Sequence, residues 1–190
     1  MTDCLTQEEK TILLRLARQA IETGVRGEPL PALDLLSLPA ALQAQGASFV
    51  TLTLDGRLRG CIGALEPYQP LAEDVREHAL AAALRDPRFP PVTPAELPRI
   101  HIEISRLTRP RPLPYTDVQD LLNRLTPGVD GVILRDGWRR ATFLPQVWAQ
   151  LPDKEEFLAH LCLKMGVAPD LWRRKTLEVQ TYQVEEFHET

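Results

Sequence analysis

Apolar residues recur every three to four positions at Ile12, Leu13, Leu16, Ala17, Ala20 and Ile21, which predicts an amphipathic helix with one buried stripe. Thr6 and Glu9 stand ahead of it at capping-box spacing, and Gly24 is its expected stop. Ser48 to Leu54 is rich in β-branched and aromatic residues. Asp55-Gly56 joins it to Arg57–Ile62, the signature of a hairpin with a type I′ turn. Pro70 opens a second helix (Leu71, Val75, Ala79, Ala82) that stops at Asp86-Pro87. From Arg99 to Ser105 the pattern alternates: Ile100, Ile102 and Ile104 on one face, His101, Glu103 and Ser105 on the other.

The second half repeats this mixture. A Pro/Arg linker, Thr108 to Pro114, leads to a helix at roughly 116–125. A second hairpin, Val132–Arg135 with Trp138–Phe143, is expected to turn at Asp136-Gly137. Asp153 and Glu156 cap a helix carrying Phe157, Leu158, Leu161, Cys162 and Met165, closed by Gly166. A last strand is expected over roughly 176–184. Helices and hairpins mix without regular strand–helix alternation, so the expected class is α+β with mainly antiparallel sheets and flanking helices.

Composition narrows the function. At 190 residues the chain reads as one domain, 1–190, or two small subdomains sharing a core. A net charge of -4 and a pI near 5.6 disfavour a general nucleic-acid or anionic-membrane binder. Four arginines against one acid between Arg99 and Arg111 keep RNA binding as a third option. Cys4, Cys61 and Cys162 are odd in number and lack C-x-x-C spacing, so neither a disulfide framework nor a zinc site is expected. The start, Met1-Thr2-Asp3-Cys4, is acidic, and the longest apolar run, Ala79–Leu84, is too short to span a bilayer. A cytoplasmic protein without membrane attachment is the expectation.

The chemistry concentrates in Leu58-Arg59-Gly60-Cys61-Ile62-Gly63. With an unbroken hairpin, Leu52 faces Arg59 and Val50 faces Cys61, which puts Arg57, Arg59 and Cys61 on one sheet face. Arg59 would then favour the Cys61 thiolate. A one-residue bulge after the turn would swap the faces. Gly60 and Gly63 leave the backbone beside Cys61 open to a ligand or to a close-packed neighbour. The alternative is a small cysteine packed in a strand. His101, Glu103 and Ser105 project together and are candidates for a base and its orienting partners. Nucleotide-loop, metalloprotease and hydrolase signatures are missing. Cys162 reads as core, and Cys4 as a bystander.

Taken in order, these motifs resemble the AMMECR domain family, whose prokaryotic relatives are called AmmeMemoRadiSam system protein A. The hallmark is Leu58 to Gly63. It is followed by Asp86-Pro87-Arg88-Phe89-Pro90-Pro91-Val92, Ile102-Glu103-Ile104-Ser105, Thr142-Phe143-Leu144-Pro145-Gln146-Val147, Phe157-Leu158, Leu161-Cys162, Lys164-x-Gly166 and Trp172. Ala141 stands where a glycine is usual, and Met165 where an alanine is. The resemblance implies two closely packed subdomains with the hallmark near the cleft between them. It also implies two partners, a Memo-like protein and a radical S-adenosylmethionine enzyme. S-adenosylmethionine and an iron–sulfur cluster would belong to the latter, and no cofactor or metal is expected in this chain.

The leading expectation is therefore a component of that three-protein module with Cys61 as nucleophile, covalent carrier or ligand. Arg59 would stabilise the thiolate or an anionic substrate, while the Gly60 and Gly63 backbone admits the ligand. Glu103, Ser105 and Gln146 would be polar partners, and Arg88 an anion-binding residue. The runner-up is a non-catalytic adaptor or substrate-presenting module with a structural Cys61.

Overall fold

The computed structural model describes residues 4–189, so the reading of Met1 to Asp3 lies outside the described residues. In chain order the elements are α1 (Gln7–Val25), α2 (Ala40–Gln43), β1 (Gln45–Leu54), β2 (Arg57–Gly63), β3 (Gln69–Pro70), α3 (Leu71–Leu84) and β4 (Ile100–Leu107). They continue with β5 (Arg111–Pro112), α4 (Val118–Arg124), β6 (Gly131–Asp136), β7 (Arg139–Phe143), α5 (Lys154–Lys164), α6 (Leu171–Arg174), β8 (Glu178–Tyr182) and β9 (Val184–His188). The chain divides into two compact units: Met1–Thr108 with Glu185–Thr190, and Arg109–Val184. The fold is α+β, with antiparallel pairing in both sheets.

In the first unit the strands run β2-β1-β4-β9, with β3 added at the start of β1. The Thr6–Glu9 capping box forms and starts α1. The helix runs through Gly24 to Val25 rather than stopping there, and Gly27, at φ 71°, follows its C-cap Arg26. Leu13, Ala17 and Ile21 of α1 and Val75 and Ala79 of α3 share a core with Val50, Leu52, Ile100, Ile102 and Ile104 of the sheet. Each fully buried Leu, Ile or Val there contributes about 1.5–3 kcal/mol. Asp55 and Gly56 both have positive φ, as a type I′ turn demands.

In the second unit the strands run β5-β8-β6-β7. Trp148 stacks on Phe157 at 3.6 Å, in a core with Leu134, Leu161, Cys162 and Trp172. Ala141 and Met165, the two departures from the family pattern, are buried in this core. Asp153 caps α5 through the amides of Glu155 and Glu156.

Beyond the end of α1, two more sequence expectations need correction. Asp136 pairs with Arg139, so the second hairpin turns at Gly137-Trp138, with Gly137 alone at positive φ (60°), one residue later than expected. A glycine in the first loop position suits a type II′ turn. The strand expected over 176–184 is two strands, β8 in the second unit's sheet and β9 in the first unit's sheet. Among the described residues, no helix is long and apolar enough to cross a membrane.

Candidate functional site around Cys61

The hairpin is not regular. Arg57 pairs with Leu54 and Leu58 with Thr53, but Gly60 pairs with Leu52, so the register skips Arg59. Beyond the skip Cys61 opposes Thr51, not Val50. The expectation that Arg59 and Cys61 share a face is thereby corrected. The Arg59 guanidinium is committed elsewhere: its Nε donates to Glu96 Oε1 at 2.8 Å and its Nη1 to the Pro90 carbonyl at 2.8 Å. Glu96 is held at about 2 in return, chiefly by that arginine. Arg59 ties β2 to the segment after α3.

Each glycine of the hallmark marks a close approach. A Cβ on Gly60 would lie 2.2 Å from the Ala82 carbonyl oxygen of α3, and one on Gly63 would lie 2.4 Å from the Phe49 ring. Gly60 lets α3 meet β2 this closely, and Gly63 lets Phe49 of β1 lie over the end of β2. The two glycines expected to admit a ligand are filled by the protein itself.

Cys61 is different. Its backbone faces the free edge of β2, since β2 is the outer strand of its sheet. Asp86 and Arg88 close that edge. The Cys61 N–H donates to Asp86 Oδ2 at 2.9 Å, and Arg88 Nη2 donates to the Cys61 carbonyl at 3.1 Å. Arg88 Nε and N–H both donate to Asp86 Oδ1 at 3.0 Å. Asp86 is 4% exposed, and its carboxyl is held far below the usual range, chiefly by Arg88 and then by the Cys61 and Arg88 amides. With its backbone turned outward, Cys61 forms a non-hydrogen-bonded pair with Thr51, the geometry that brings side chains closest. Accordingly, the Thr51 hydroxyl donates to Cys61 Sγ at 3.3 Å. The thiol is half-buried, on the face opposite the one that Gly60 and Leu52 turn toward α3. The Arg88 pKa is raised, first by its hydrogen bond to Asp86, with Cys61 among the further causes.

Glu103 opposes Thr51 and Ser105 opposes Phe49, so both share the sheet face of Cys61, as does His101 opposite Thr53. They stand two strands away, roughly 10 Å at the usual strand spacing. Glu103 is half-buried and Ser105 buried. Neither touches the thiol. Gln146 belongs to the second unit, exposed on the 3-10 turn Pro145–Ala149. Sequence reasoning missed Thr51, Asp86 and Glu96. Thr51 was recoverable from the register had the bulge been placed; Asp86 reads as a helix stop before Pro87 and as part of a family motif, with no link to Cys61. Among the described residues, no group of three His, Cys, Asp or Glu side chains is placed to hold a metal ion.

The family model AMMECR1 matches residues 14–187. A protein of Methanothermobacter thermautotrophicus is 42% identical over 186 residues, covering 97% of this chain and 96% of its own length. Protein MJ0810 of Methanocaldococcus jannaschii is 39% identical over 188 residues, covering 97% and 92%. The crystal structure of uncharacterized protein PH0010 from Pyrococcus horikoshii superposes with a TM-score of 0.74 at 34% identity, over 97% of this chain and 93% of that one. With its hallmark strand clamped by Asp86 and Arg88 and its sequence matched over nearly its whole length, this chain belongs to the AMMECR1 family.

Proposed function

We propose that Cys61 is the reactive centre of a modification reaction, acting as nucleophile, covalent carrier or ligand. The observation that carries this reading is the division of labour within the hallmark. Arg59, Gly60 and Gly63 are committed to packing and ion pairing, whereas Cys61 is half-buried, with its thiol on the Thr51 hydroxyl and its carbonyl on the Arg88 guanidinium. Arg88, rather than Arg59, takes the role of the cation beside it. Consistent with its family, the chain would work in the cytoplasm with a Memo-like protein and a radical S-adenosylmethionine enzyme.

The test is iodoacetamide alkylation of the folded protein, mapped by peptide. Cys61 should react faster at pH 7 than the exposed Cys4. A Cys61 that stays unmodified until the chain unfolds would refute the reading.

One observation favours the adaptor reading. Trp138 is 87% exposed at the tip of the β6–β7 hairpin, with Arg139 over its ring at 5.1 Å. Arg139 is itself anchored on the Gly166 carbonyl. A rigid aromatic–arginine pair is the composition of an interface anchor. On this reading Trp138→Ala weakens co-purification with the Memo-like or radical enzyme partner at least tenfold and leaves Cys61 alkylation unchanged. Equal recovery of both forms would dismiss it.

A further inference from the structure

We infer that the Cys61 site selects an anionic electrophile, a compound bearing a carboxylate or phosphate group, and that Arg88 reads that anion. This rests on Cys61 being the reactive centre. The argument is an inventory of donors. A guanidinium has five N–H groups in a fixed plane. On Arg88 the Nε–H goes to Asp86 Oδ1, and the two Nη2 hydrogens go to Asp86 Oδ2, at 2.7 Å, and to the Cys61 carbonyl. The two hydrogens of Nη1 have no oxygen acceptor among the described residues.

The guanidinium is also held in place. Asp86 is buried, and its two oxygens grip Arg88 on one side while the Cys61 carbonyl fixes the plane from the other. A fork restrained in this way loses little conformational freedom when it binds. The side chain of Arg88 is 53% exposed, so the free edge opens to solvent while the rest of the group is anchored. An anion accepting from Nη1 would be held at Cys61, whose carbonyl the same guanidinium grips at 3.1 Å. Charge-assisted hydrogen bonds to carboxylate or phosphate oxygens are the strong contacts of this donor. Thr51 supplies a neutral hydroxyl to the sulfur, adding no opposing charge.

Two reagents of one mechanism separate charge from reactivity. With iodoacetamide or iodoacetate, the sulfur forms an S–C bond as the C–I bond breaks; iodide leaves with the bonding pair and the thiol proton goes to solvent. Both react with the thiolate, so the ratio of their rates cancels its population. Cys4, exposed in the same chain, supplies the reference ratio.

The expected result is an iodoacetate-to-iodoacetamide ratio at Cys61 about tenfold above that at Cys4, collapsing to the Cys4 value in Arg88→Gln. Arg88→Lys keeps the charge but not the fork, and should fall between the two. In the unaltered protein, inorganic phosphate or acetate should slow the iodoacetamide reaction at Cys61 and not at Cys4. The stronger protector identifies the preferred anion, and this arm needs no variant that folds. Equal ratios at the two cysteines, with iodoacetamide still reacting at Cys61, overturn the anion inference alone. Failure of both reagents at Cys61 in the folded chain overturns the reactive-centre reading, and the inference with it.

Discussion

Replacing Gly60 with alanine adds one methyl group at the tightest backbone contact of the hallmark strand. The added Cβ would sit 2.2 Å from the carbonyl oxygen of Ala82, so β2 and α3 must separate by about 0.8 Å to reach even a compressed contact. The obstacle is helix backbone, so no rotamer change relieves it. Moving α3 loosens Leu71, Ala72, Val75, Ala79 and Ala82, all at most 1% exposed in the core. Overpacking of this kind costs about 1–3 kcal/mol, and a rigid backbone clash belongs at the upper end. The alanine recovers about 0.4–1 kcal/mol by restricting the unfolded chain. The net expectation is a loss of about 2 kcal/mol. In equilibrium urea unfolding, with a slope of about 1–3 kcal/mol/M, the midpoint should fall by about 1 M without a change in slope. A midpoint within about 0.2 M of the parent would mean that the close approach of β2 to α3 is not what demands glycine.

Three further outcomes test other parts of the account. Arg59→Lys, which cannot keep both the Glu96 fork and the proline carbonyls, should lose about 1–3 kcal/mol in urea unfolding while changing the Cys61 alkylation rate less than about twofold; a large drop in that rate would restore Arg59 to the site. Because Glu96 is depressed to about 2 in the folded state, its contribution is complete above its unfolded value and is lost as the pH falls toward 2. Between about pH 5 and 2 the parent should therefore lose about 1–2 kcal/mol more than Glu96→Gln, and parallel acid limbs would contradict the ion pair. Burial pushes the Cys162 thiol up, so this cysteine should resist iodoacetamide in the folded protein and react fully in urea; modification at the rate of Cys4 would put it outside the core.

Local chemistry made much of the fold legible. The Thr6–Glu9 cap, the Asp55-Gly56 turn and the Asp153 cap involve residues at most three apart, so their geometry follows from short-range hydrogen bonds and backbone sterics. The alternation from Ile100 to Ser105 named the buried face of β4 correctly, because a strand with one face in the core repeats every two residues. The second turn was displaced by one residue because Asp136-Gly137 and Gly137-Trp138 are both acceptable loops. Cross-strand pairing of Asp136 with Arg139 chose between them.

The site was legible only in part, and Cys61 and Arg59 show why. Alternation carries a face assignment along a strand only while the register is unbroken, and one skipped residue inverts everything beyond it. Nothing within Arg57–Gly63 marks the skip. It is tied to distant groups: the Ala82 carbonyl against Gly60, and Glu96 with Pro90 and Pro91 around Arg59. The clamp on Cys61 likewise joins residues 25 and 27 apart. The sequence by itself determined the N-terminal caps of α1 and α5, the first turn, the apolar faces of α1 and β4, and the family. Tertiary structure alone decided which arginine reaches Cys61, because that choice depends on contacts between chain segments whose meeting no local pattern encodes.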